Sequence, residues 1–128
     1  SAPESLVPPI PAVPTGKTVK TYLGRAFATR SGDKGGNANL GVWGQTPEAF
    51  AFLNAFLTTD KLKELLPDMV PFEIERYEFP NLLALNFYIK GVLGEGVAAS
   101  VRSDPQAKTL GEYLRAKIIE MPESIIVK

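Results

Sequence analysis

Six side chains able to do chemistry fall within ten residues: Arg30, Ser31, Asp33, Lys34, Asn37 and Asn39, separated by Gly32, Gly35, Gly36 and Ala38. Two cations favour an anionic guest, and three glycines let backbone N–H groups turn towards it. The stretch is not a Walker loop, because Gly32-Asp33-Lys34-Gly35-Gly36-Asn37 lacks the required Gly-Lys-Ser/Thr ending. Two readings stand. One is an anion-binding loop held by Arg30 and Lys34; the other is a solvated hairpin turn in which Asp33 and Lys34 only order each other.

Further along, Asn86 lies mid-strand among apolar neighbours, where an amide either ties a nearby loop to the sheet or touches a ligand. Arg102, Asp104 and Lys108 cluster ahead of the last helical pattern. Asp104-Pro105 is a helix-start signal, so Asp104 reads as a cap or as an acid. Arg102 reads as a carboxylate or phosphate contact, or as an internal partner of Asp33, Glu95 or Asp104. Gly94-Glu95-Gly96-Val97-Ala98-Ala99 matches Gly-x-Gly-x-x-Ala, yet only about 30 residues follow and no βαβ unit frames it, so a glycine-bent turn is the better reading. No cofactor is expected.

Composition narrows the chemistry. The 128 residues contain neither His nor Cys, which removes the commonest neutral-pH base, the commonest metal ligand, thiol nucleophiles and disulfides. No metal site is expected, and a self-sufficient enzyme would have to work with carboxylates, Lys, Tyr, amides or backbone groups. Fourteen basic residues balance fourteen acidic ones, which argues against a nucleic-acid footprint. No stretch approaches the roughly 20 apolar residues of a membrane span. The chain starts at Ser1 without a signal-peptide pattern, and cytoplasm is the default location.

The elements that must position these residues follow from periodicity. Residues 1–17 hold five of the eleven prolines and read as a linker from an upstream domain, although Leu6, Val7, Ile10 and Val13 would also suit a strap on a surface. Residues 18–128 form one domain. Thr18 to Thr29 alternate as one long strand, thinned at Gly24 and Ala26 where a bulge or close backbone approach is expected. Leu40 to Gly44 is a short second strand. Thr46-Pro47-Glu48 starts a helix with Phe50, Leu53, Phe56 and Leu57 on one face, kinked and recapped at Thr58-Thr59-Asp60 and stopped by Pro67. Residues 72–79 and 82–89 form a hairpin through Pro80-Asn81, 97–101 a short strand, 108–118 a last helix ended by Pro122, and 125–127 a final strand. Leaving the first strand and the 97–101 segment aside, the order is β-α-β-β-α-β, an α+β ferredoxin-like two-layer sandwich with helices on one face of an antiparallel sheet.

The residues from Arg30 to Val42, Arg76 to Phe87, Gly94 to Gly96 and Ser100 to Gly111 together resemble the small C-terminal domain of the acyclic terpene utilisation (AtuA-like) family, over about residues 18 to 121. The resemblance implies a ferredoxin-like fold, a larger N-terminal partner domain, and a link to acyclic terpenoid breakdown through acyl-CoA thioesters. It supplies no established reaction for this domain. Motif matching carries over Arg30, Ser31, Asp33, Lys34, Asn37, Asn39, Asn86, Arg102 and Asp104 as ligand-binding candidates. In one hypothesis Arg30 and Lys34 hold an acyl-CoA or terpenoid acid and Asp33, with Lys34, is the catalytic candidate. In the other the domain is an assembly module that docks on its larger partner domain or on a second copy.

Overall fold

The structure, a computed structural model, describes residues 9–91 and 109–128. The long alternating run breaks in two: β1 (Thr18–Tyr22), a single tight turn at Leu23–Arg25, then β2 (Ala28–Lys34). The break falls at the thin positions. A Cβ on Gly24 would sit 3.1 Å from the Cβ and Nε of Arg115, so a side chain at this position would crowd Arg115.

β3 (Asn37–Trp43) leads into α1 (Pro47–Phe56) and α2 (Thr59–Leu65). Thr46 Oγ accepts from Ala49 N–H at 3.1 Å and Thr58 Oγ from Lys61 N–H at 3.0 Å, so each helix has the cap its sequence encodes. β4 (Ile74–Phe79) and β5 (Ala84–Ile89) form the expected hairpin across Pro80–Leu82.

The C-terminal elements differ from the periodicity reading. The last helix, α3, covers only Leu110–Arg115, and Ile118–Pro122 is a strand, β6, antiparallel to β1. Leu110, Leu114 and Ile118 satisfy a helical spacing, but Ile119 and Met121 are buried while Ile118 and Glu120 are exposed, a two-residue alternation. Pairing with Thr21 and Val19 selects the strand. Pro122 therefore ends a strand, and the segment expected as a final strand is a tight turn (Glu123–Ile125) followed by extended backbone, with Val127 N–H bonded to Arg25 O at 3.0 Å. The segment 97–101 expected as a strand lies outside the described residues, as do the glycine-bent turn at 94–96, Arg102, Asp104 and Lys108.

Among the described residues four strands form an antiparallel sheet in the order β2-β3-β5-β4, and β1-β6 form a separate two-stranded ribbon. The first strand is thus no accessory: its second half, β2, takes the edge beside β3, and the last strand pairs outside the main sheet. Leu40, Val42, Leu85, Phe87 and Ile89 on one sheet face are fully buried with Phe50, Leu53, Leu62, Leu110 and Leu114 of the helices. All three described helices therefore cover one face, and the architecture is an α+β ferredoxin-like sandwich with the opposite sheet face uncovered by any described helix. No helix among the described residues is long and apolar enough to cross a membrane.

Candidate functional site

The polar decapeptide is a hairpin, with only Gly35 and Gly36 outside the strands. Both glycines have positive φ, 59° and 87°, the backbone of a two-residue type I′ turn that other residues adopt at a cost. Eight of the ten residues are therefore strand residues, and strand alternation sorts them onto two faces.

Arg30, Gly32 and Lys34 point to the open face. The register places Arg30, Gly41, Asn86 and Tyr77 in one cross-strand row and Gly32, Asn39, Tyr88 and Glu75 in the next. Asn86 Nδ2 donates to Asn39 Oδ1 at 2.8 Å, and Asn37 Nδ2 donates to the Tyr88 hydroxyl at 3.1 Å. Asn37 Oδ1 also accepts from Gly91 N–H at 2.6 Å. Asn39 with Asn86, and Asn37 with Tyr88, thus form two part-buried pairs on neighbouring rows of β3 and β5. Gly32 and Gly41 present no side chain on this face, and a Cβ on Gly32 would meet nothing within 4 Å. Arg30 and Lys34 stand either side of Gly32, about 13 Å apart along β2, and neither is ion-paired among the described residues.

Ser31 and Asp33 face the other way, towards α3. Ser31 Oγ accepts from Gly111 N–H at 3.0 Å and so satisfies a donor of the first turn of α3. Asp33 is exposed at the end of the hairpin. Being adjacent in a strand, Asp33 and Lys34 project to opposite sides, so they do not converge on one reacting atom. Arg102 and Asp104 cannot be set against these positions, since they lie outside the described residues.

The sequence reading missed a second polar cluster on the same face. Glu75 accepts from the Tyr77 hydroxyl at 2.7 Å and pairs with Lys90 Nζ at 2.8 Å, with Glu73 3.6 Å from the same ammonium. The signal was the mixed character of residues 72–79, where Glu75, Tyr77 and Phe79 alternate with Ile74, Arg76 and Glu78. The bond from Lys90, helped by Tyr77, holds the Glu75 carboxyl below its ordinary value of 4.5. Glu75 in turn pushes Lys90 and Tyr77 up from theirs.

These directions fix the sign of the pH response. The Glu75 contribution to stability is present above its unfolded-chain value and is lost as pH falls through the depressed one. The Lys90 and Tyr77 contributions are present below their unfolded-chain values near 10 and are lost as pH rises through the raised ones. Lys90→Met is expected to raise the Glu75 pKa towards 4.5, read by carboxyl NMR titration. An unmoved titration would mean the pair does not persist in solution.

Among the described residues no group of three acidic, His or Cys side chains is placed to hold a metal ion. What the face offers is two separated cations, amide side chains that present donors and acceptors, and exposed Tyr77 and Phe79 beside them. A family model described as the AtuA ferredoxin-like domain matches residues 21–120. No curated protein and no solved structure matches the chain.

Proposed function

The chain belongs to the AtuA ferredoxin-like domain family, and on that footing we propose that it serves as an accessory domain in acyclic terpenoid breakdown. Its open sheet face docks on a larger N-terminal domain, and Arg30 and Lys34 hold the anionic part of an acyl-CoA-type or terpenoid acid substrate at the seam. The observation that carries this reading is the pair of cations on one side of β2, on either side of Gly32, without acidic partners among the described residues. Lys90, on the same face, is by contrast neutralised by Glu73 and Glu75. A cation left without a carboxylate is free to make charge-assisted bonds to phosphate or carboxylate.

Turnover by this chain alone is not part of the proposal. Its amides position and its cations attract; Asp33, on the far side of β2, is the remaining acid–base candidate and would act only if the partner brought substrate to the hairpin end. The test is calorimetric titration of CoA and acyl-CoA into the two-domain protein. Arg30→Ala and Lys34→Ala are each expected to weaken binding about tenfold, equivalent to about 1.4 kcal/mol, and increasingly so at low salt. Unchanged affinity in both variants removes the anion site.

A second reading, assembly without a ligand, is favoured by the exposure of Tyr77 (47%) and Phe79 (42%) on the docking face. Under it, neither CoA nor acyl-CoA binds the two-domain protein, while Phe79→Asp still separates the domains or the copies in sedimentation. Lys34→Ala and Asp33→Ala that leave full-length activity untouched would also favour assembly.

A further inference from the structure

The proline-rich segment ahead of β1 does not stand clear of the domain. Pro9, Ile10 and Pro11 line, with Pro47, Phe50, Pro80 and Leu83, a small, partly open apolar pocket of about 30 Å³. Pro47 is the first residue of α1 and Phe50 lies in its first turn, while Pro80 and Leu83 belong to the turn between β4 and β5. The segment therefore bridges two parts of the fold that are about 30 residues apart in sequence. Its prolines have no N–H to satisfy and their φ is preset, so it can lie on an apolar surface without a hydrogen-bonded ladder and with little entropy to lose. Regular pairing begins only at Lys17, whose carbonyl accepts from Glu123 N–H at 2.9 Å.

A second observation comes from the other side of the contact. Leu83 has φ 56°, left-handed backbone that a branched side chain adopts only when its surroundings demand it. Its carbonyl is tied to Gly44 N–H at 3.0 Å, and it lines the same pocket as the proline segment.

We infer that residues 9–11 are an intramolecular strap, a polyproline-type ligand of the apolar corner formed by Pro47, Phe50, Pro80 and Leu83. The corner's partner is this chain's own N-terminal segment. The strap sets where any upstream chain leaves the domain: next to Pro80, and so beside the row Ala28–Trp43–Ala84–Phe79 at one end of the open sheet face. Only that last step rests on the docking reading given above, for it delivers the larger domain to the face it is proposed to cover.

The test uses the 128-residue chain by itself. Pro9→Gly combined with Pro11→Gly is expected to lower Tm by roughly 5 °C, because restored chain freedom matters only if the folded state orders these residues. The chain has no Cys, so Ala12→Cys provides a single site for a nitroxide. The label is expected to broaden the amide resonances of Phe50 and Leu83 strongly and to spare Gly35 and Gly36 at the hairpin tip. An unchanged Tm, or broadening spread evenly over the domain, overturns the strap. Neither readout involves CoA or a partner, so failure here leaves the anion site standing and failure there leaves the strap standing.

Discussion

Arg76→Lys, which keeps the charge, is expected to lower stability by about 2–3 kcal/mol, well beyond the usual cost of a cation exchange at a surface. Arg76 lies on β4 with its side chain only 19% exposed, and its guanidinium spans the end of α1. Nε donates to Leu57 O at 3.0 Å; Nη2 donates to Asn54 O at 2.7 Å and to Asn54 Oδ1 at 2.9 Å; Nη1 meets Glu78 Oε2 at 3.0 Å. Asn54 and Leu57 carry carbonyls of the last helical turn and its cap, which the helix itself leaves without donors and which form the negative end of its dipole. A planar fork serves both carbonyls and the Asn54 amide at once, and an ammonium cannot cover the same span. The check is urea denaturation: the midpoint falls while the slope is unchanged. Glu78→Gln, which touches only the exposed pair, is expected to cost no more than about 0.5 kcal/mol. An Arg76→Lys protein as stable as the parent would show that the fork is not what joins β4 to α1.

Gly111→Ala is expected to cost about 2 kcal/mol, although alanine is better than glycine in a helix by about 1 kcal/mol. The Cβ would lie 2.5 Å from Thr29 Oγ1, 3.0 Å from Thr29 Cβ and 3.4 Å from Ser31 Oγ, so α3 must lift off β2. Lifting also lengthens the bond from Gly111 N–H to Ser31 Oγ, 3.0 Å in the parent. Thr29→Ala removes the nearest atom, and that atom has no hydrogen-bond partner among the described residues. In a double-mutant cycle Thr29→Ala is therefore expected to recover at least half of the loss caused by Gly111→Ala. Additive effects would place the strain elsewhere. The same contact gives Ser31 a role the polar hairpin did not announce: it seats a helix, on the face away from Arg30 and Asn86.

The hairpin shows why some of the site was readable and some was not. Arg30, Lys34, Asn37, Asn39 and Asn86 were singled out by type and spacing, and they do share one face, because a period of two is local and survives in any sheet. That Ser31 and Asp33 belong to the other face follows from the same period once the stretch is known to be strand. Its glycines and amides suggested a loop instead, since local composition cannot tell a long turn from a two-residue turn closing paired edges. Glu75, Tyr77 and Lys90 escaped notice because their meeting depends on the register of β4 against β5, a long-range pairing rather than a local pattern.

The helix starts at Thr46 and Thr58, the β4–β5 hairpin and the two-layer α+β class are legible in the sequence, since all of them rest on caps, turns and periodicities spanning a few residues. Only the tertiary structure decided that residues 118–122 are a strand, that β2 rather than the last strand borders β3, and that the Arg30–Asn39 stretch is a hairpin with two chemically different sides. Ile118–Pro122 can satisfy either period, and β1 supplies the hydrogen bonds that choose between them. Apolar spacing sets what a segment can become; the partner strand that completes its backbone bonds sets what it is.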